Sequence, residues 1–206
     1  HSAEIDSITF YSIRNQKQRQ VRLFSEVADI AIDGDFLFSA VYRDLSRLYK
    51  EYILNFQNNS IELEKYYSNA GQEALDEYSI SAELDLKNIN SLSSLFIDDF
   101  KISQNTKIEG SFRHGNTSIL RLFSSVDTLA LGQKLFTGNE FELTTSKIAD
   151  STQVLAMFYI NSGQQQWQNI TPTQNALVEA IWNGEHIDFQ MTIDQEKLKN
   201  YASIYG

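Results

Sequence analysis

The chain has no cysteine in its 206 residues, no surplus of basic side chains and no long apolar run. Without cysteine there is no disulfide and no thiolate metal site, which is compatible with an oxidising compartment such as a periplasm. The 17 Lys and Arg against 27 Asp and Glu leave a formal charge of −10. Such a charge repels phosphate backbones and anionic lipid surfaces, so nucleic acid is not an expected partner. No stretch approaches the roughly 20 apolar residues of a membrane-spanning helix, and the segment is expected to be soluble. The opening His1-Ser2-Ala3 contains no initiator Met and runs straight into the apolar pattern. The chain is therefore expected to be a piece of a longer protein, with His1 a tag remnant and any signal peptide or anchor upstream.

The residues that carry catalysis are also scarce. A Ser or Thr nucleophile needs a base, and beyond His1 the only histidines are His114, within the turn His114-Gly115-Asn116, and His186, at a strand start. Both imidazoles are expected to face solvent, since no G-x-S-x-G or comparable context surrounds them. Asp29, Asp33 and Asp35 lack the spacing of a calcium loop and read as a charged sheet edge that resists aggregation. Asp98-Asp99 reads as a turn. Gly110 with Gly115, and Gly132 with Gly138, open no phosphate-cradling helix. Trp167 and Trp182, among ten Tyr and thirteen Phe, offer faces on which sugars could stack, but such residues are first of all strand and core formers. No catalytic residue, no metal site and no cofactor is expected, and the chain reads as a non-enzyme.

What the sequence does contain is alternation. Ile80, Ala82, Leu84 and Leu86 alternate with Ser81, Glu83, Asp85 and Lys87, and Ile187, Phe189, Met191 and Ile193 repeat the pattern, each a half-buried strand. Further strands are predicted near 5–13, 20–38, 108–112, 119–131, 140–148, 153–160 and 175–182. A change of phase near Val27-Ala28 predicts a bulge or bend. Val41, Leu45, Leu48, Tyr52 and Phe56 recur at three and four, an amphipathic helix over about 39–57 with Ser39 as N-cap. A short helix is predicted near 91–97. The chain is expected to form a single elongated β unit over 1–206, with the acidic stretch 58–78 as an internal boundary between strands plus helix (1–57) and the main sheet portion (79–206). Ile32-Asp33-Gly34-Asp35-Phe36 is echoed by Ile108-Glu109-Gly110-Ser111-Phe112, the mark of a reused strand module. Two arrangements satisfy the alternation: a closed sandwich or barrel packed on itself, or a sheet with its apolar face open to a ligand.

Ile30 to Phe36 leading into the helix, then Ile80 to Lys87, Leu92 to Phe96 and Gln104 to Phe112, resemble the TamB family, the AsmA-like periplasmic proteins of diderm bacteria, in its Bacteroidetes-type members. Ala180-Ile181-Trp182 followed by Ile187 to Ile193 is similar to family strands as well. The anchor helix and the Gly-rich closing strands of that family are missing, so the resemblance implies an internal segment. It implies an elongated, mainly β sheet folded over a hydrophobic groove (a β-taco), in a parent protein anchored in the inner membrane and crossing the periplasm. The implied function is phospholipid transport to the outer membrane. The implied alternative is a scaffold that assembles outer-membrane proteins by β-augmentation with a barrel partner, in protein secretion and outer-membrane biogenesis. The expected groove for phospholipid acyl chains is lined by Ile80, Leu84, Ile108, Phe112, Leu120, Leu122, Phe141, Leu143, Phe189 and Met191, with the 39–57 helix plugging or lining one end.

Overall fold

A computed structural model of the chain describes residues 7–16, 18–57, 60–69, 77–90, 99–149, 151–195 and 200–206. It opens with strands β1 (Ile8–Asn15), β2 (Gln18–Ser25) and β3 (Ala28–Gly34), followed by helices α1 (Phe38–Phe56) and α2 (Ser60–Asn69). Then come β4 (Tyr78–Leu86), β5 (Phe100–Ile102), β6 (Thr106–His114), β7 (Thr117–Leu131) and β8 (Lys134–Ile148). The last four are β9 (Val154–Trp167), β10 (Ile170–Asn183), β11 (His186–Gln195) and β12 (Asn200–Tyr205). All of them form one 12-stranded sheet in chain order, except that the short β5 pairs with the far end of β7. Every pairing is antiparallel, and β1 does not meet β12, so the sheet is open. The expected mainly β architecture with one amphipathic helix is the observed one.

The segment 58–78 carries α2, and the strands on its two sides are neighbours. β3 pairs with β4 from Ala28 opposite Leu86 to Gly34 opposite Ile80. The two helices are thus an excursion between adjacent strands of one sheet. The short helix expected near 91–97 lies outside the described residues.

Several local expectations are corrected. Of the bulge or bend expected at Val27-Ala28 the structure has the bend, sharpened into a chain reversal: Ser25 Oγ donates to the Ala28 carbonyl at 2.7 Å and closes the turn between β2 and β3. Ser39 does not cap α1. Leu37 holds the cap position with extended backbone and no side-chain bond, and the helix begins two residues earlier than a Ser39 cap predicts. Strands β8 and β9 run further than their alternation shows. Their apolar alternation fades where the ladder skips Asp127, Gly138 and Gly163 with the register the same on both sides, and Gly138 sits at φ +62°, a backbone open to glycine at no steric cost. Side chains replace the missing ladder bonds along this line. Asn139 Nδ2 donates to the Val126 carbonyl at 3.0 Å, Ser162 Oγ to Asn139 Oδ1 at 2.7 Å, and Gln165 Nε2 to the Ser162 carbonyl at 2.7 Å.

The core sits where α1 crosses the sheet. Val21, Phe36, Leu48, Tyr78 and Phe112 are buried together, with Ile32, Val41, Leu45, Ile80 and Leu120 packed around them. The two phenylalanines of the sequence echo, Phe36 and Phe112, therefore meet in one cluster. Phe112→Ala is expected to cost about 3–5 kcal/mol through lost burial and the cavity left behind. Phe158→Ala, on a strand position well exposed to solvent, is expected to cost about 1 kcal/mol. Urea titrations of the two variants check the difference.

Candidate functional site: an apolar face and its helical cover

Residues directly opposite one another in an antiparallel pair share a face, and alternate residues along a strand return to it. Following the register strand by strand therefore assigns every side chain to a side. One row runs Ile80, Phe112, Leu120, Thr145, Ala156, Trp182, Ile187. The next runs Ala82, Gly110, Leu122, Leu143, Phe158, Ala180, Phe189. A third runs Leu84, Ile108, Ser124, Phe141, Ile160, Val178, Met191 and on to Ile204. All ten residues expected to line a groove fall in these three rows, on one face. The opposite face carries Glu83, Glu109, Phe123, Glu142, Tyr159 and Glu179 in a matching row.

Helix α1 lies over the first row and overhangs part of the second. Trp182 meets Tyr52 and Phe56 edge to face, at ring separations of 5.5 and 5.9 Å. The Tyr52 hydroxyl donates to the Leu155 carbonyl at 2.6 Å. Between helix and sheet lies a cleft of about 410 Å³, lined by Leu45, Leu48, Tyr49 and Tyr52 above and by Leu120, Leu143, Thr145, Ala156, Phe158, Ala180, Trp182 and Ile187 below. No charged side chain lines it, and its size is that of a small-molecule site. Past the cleft the face is bare: Leu122, Phe189 and Met191 are 38–42% exposed. Leu120 and Leu143 thus line the cleft, Ile80 and Phe112 belong to the core, and the other six residues lie on the face beyond α1.

On its other flank α1 buries charge. Asp44 and Glu51 flank Leu48 on one stripe of the helix, and all three are buried. Asp44 accepts from the Tyr78 hydroxyl at 3.0 Å and from Arg43 Nε at 2.9 Å, with His114 Nε2 3.7 Å away. Glu51 meets Lys147 at 3.3 Å and Arg47 at 3.0 Å. The Lys147 ammonium also donates to the Ile148 and Ser151 carbonyls and lies 5.2 Å from the centre of the Tyr67 ring. This corrects the expectation for His114. It is the last residue of β6, buried, with Nδ1 2.9 Å from Ser118 Oγ. His186 is exposed, as expected.

Ser118, His114 and Asp44 stand in the order of a nucleophile, base and orienting acid, but the geometry is that of a structural joint. The His–Asp separation of 3.7 Å exceeds a hydrogen bond. The space shared by Ser118 and His114 is about 20 Å³, room for one water and for no substrate group. The aspartates of the β3 region are in separate ion pairs, Asp33 with Arg22 at 2.9 Å and Asp29 with Lys87 at 2.7 Å. Trp167 packs on Phe136 and Trp182 on α1, which is the expected core role.

Sequence reading did not single out Asp44, Glu51 or Lys147. A signal existed: Asp44, Leu48 and Glu51 follow i, i+4, i+7 spacing, and Lys147 is in phase with Leu143 and Thr145 on the apolar side of its strand. The class defined by fold and site is an open antiparallel sheet with one continuous apolar face, partly roofed by a helix. Comparison with known protein families, with curated protein sequences and with solved structures finds no match to this chain. No helix among the described residues is long and apolar enough to cross a membrane.

Burial, and then the hydrogen bond to Asp44, raise the pKa of Tyr78 above its ordinary value, and burial with the nearby Glu51 charge does the same for Tyr67. The unfolded chain ionises its tyrosines near pH 10 while these two stay protonated in the native state. The unfolded state then binds fewer protons, so stability falls as pH rises above about 10. Tyr78→Phe is expected to cost about 1–3 kcal/mol at neutral pH, from the bond lost to a buried carboxylate, and to flatten part of that alkaline slope. Urea midpoints measured on both sides of pH 10 check both effects.

Proposed function

We propose that this chain is a segment of a periplasmic lipid conduit, in a parent protein anchored in the inner membrane, and that its apolar face shelters phospholipid acyl chains on their way to the outer membrane. The observation that carries the reading is the set of three apolar rows kept in register from β4 to β11 and left uncovered beyond α1. A diacyl lipid carried through water exposes roughly 30 methylenes at about 0.8 kcal/mol each, a barrier on the order of 20 kcal/mol. A continuous hydrocarbon surface removes most of that barrier. Rows of Leu, Ile, Phe, Val and Ala hold a chain by dispersion and exclusion of water, with no charged group to fix it at one point, and so they favour passage over storage. The acidic opposite face stays in water and repels anionic headgroups from the wrong side. The resemblance to TamB-like sequences points the same way.

A second reading rests on β1. All eight of its residues are exposed, and its outer edge is unpaired in the sheet order. Its apolar Ile8, Phe10, Tyr11 and Ile13 are accompanied by Arg14 as the strand's one charge. An edge without proline or inward charge is a template for a further strand. In this reading a client strand of an outer-membrane protein adds to β1, and backbone hydrogen bonds rather than the apolar face supply the affinity.

Two variants separate the readings. Leu143→Asp places a carboxylate between Leu122 and Phe158, and phospholipid seen by native mass spectrometry of the purified protein is expected to fall at least tenfold. Tyr11→Pro blunts β1 and is expected to leave bound lipid unchanged. If no lipid accompanies the unaltered chain, or if Leu143→Asp retains it, the conduit reading fails. Strand capture lost in Tyr11→Pro alone would favour the scaffold.

A further inference from the structure

The packed core stops at Leu45, Leu48, Tyr52 and Leu120, and the same four side chains line the inner part of the 410 Å³ cleft. The space exists because the floor beneath α1 carries Thr145, Ala156 and Ala180 where longer side chains would reach the helix. At its outer part stand Tyr49, 70% exposed, and the well exposed Phe158 and Ile187. The cleft is therefore open to the bare rows with α1 in its observed place. No charge lines it, and the Tyr52 hydroxyl is committed to the Ser146 and Leu155 carbonyls at 3.1 and 2.6 Å. An ion entering this space would lose its hydration with nothing in return. A peptide fits no better. An extended strand would bury its amides against a sheet face and a helix flank, whose backbone groups are already paired. An α-helix about 10 Å across occupies about 400 Å³ in each turn of 5.4 Å, so the cleft holds a single turn, too little to be a stable helix. A methylene takes up about as much room as a water molecule in the liquid, roughly 30 Å³, so the same space holds on the order of a dozen of them.

We infer that the cleft is a seat for a single linear hydrocarbon chain of that length, entered sideways from the bare rows. Open rows let a chain slide, whereas the cleft meets it with helix on one side and sheet on the other, so retention and passage occupy different parts of one face. What the cleft recognises is the tail, whether it belongs to a phospholipid or to a single-chain amphiphile. That phospholipid supplies the tail rests on the conduit reading given above; the seat itself does not.

The scarcity of tryptophan makes the test direct. Trp182 lines the cleft beside the start of β9, and Trp167 stands at the opposite end of that strand. Trp167→Phe therefore leaves one indole, in contact with whatever enters. In this background ω-bromododecanol, whose bromine quenches indole fluorescence on contact, is expected to quench Trp182 and to saturate at a single molecule per chain. Unbrominated n-alcohols are expected to displace it, with affinity rising about fourfold per methylene and levelling off once the chain fills the cleft. Ala156→Leu and Ala180→Leu fill the space from two different strands. Each is expected to weaken binding at least about tenfold with no loss in the urea midpoint. Quenching that never saturates, an affinity that keeps climbing with chain length, or filled variants that bind as tightly as the parent overturns the proposal. So does the absence of quenching, the result expected if a second copy of the chain occupied the cleft. Native mass spectrometry separates the seat from the conduit. Saturable quenching with no phospholipid on the unaltered chain keeps the seat and removes the conduit, and phospholipid on a chain whose Trp182 is not quenched does the reverse.

Discussion

Each strand pair from β4 to β11 aligns residue against residue, and the hydrophobic alternation of each strand enters that alignment in the same phase. Everything else in the molecule depends on this. A slip of one residue at any pair would send the apolar set of every later strand to the wet side. Because the apolar rows cross each pair in constant register, the shifts at Ile170/Thr173 and Gln174/Leu177 lying at the other end of β10, isolated alternations in seven strands add up to a single hydrocarbon surface. Where the ladder does skip, at Asp127, Gly138 and Gly163, the bonds are taken over by Asn139, Ser162 and Gln165. The polar side chains there substitute for backbone, and the phase is preserved on both sides.

A face of this extent is a liability unless something uses it. The fold covers part of it with α1, and does so in two chemically different ways. Apolar contact around Phe36, Leu48 and Phe112 anchors the start of the helix, and aromatic contact with Trp182 holds its end. Between these, buried charge fixes the helix laterally and leaves the other flank hollow. The arrangement gives α1 a defined seat without filling the space beneath it. Interiors otherwise close such space with side chains.

The residues of the apolar face were legible because they obey a period of two within each strand, and that period survives whatever lies on the face. Leu84, Ile108 and Met191 could be assigned to the apolar side of their own strands without knowing which strand neighbours which. The helix was legible for the same reason at a period near 3.6. Its cap was misread, since Ser39 follows the rule for a start while the chain enters α1 through Leu37 with an extended backbone and no side-chain cap. His114 was misread because composition marks a turn but says nothing of what packs over it. The polar runs around Gly138 and Gly163 hid the far halves of β8 and β9, since a strand whose apolar alternation lapses reads as ended.

The sequence by itself determined the class of fold, the one-sided chemistry of each strand and the position of the amphipathic helix, because these follow from local periodicity and from which side chains avoid water. Only the tertiary structure decided that the strands pair in chain order with their apolar sides together, that the sheet stays open, and that Asp44, Glu51 and Lys147 meet beneath α1. Those outcomes join residues up to 96 positions apart, as Glu51 and Lys147 are. A one-dimensional pattern carries no information about which distant charge will be buried against which.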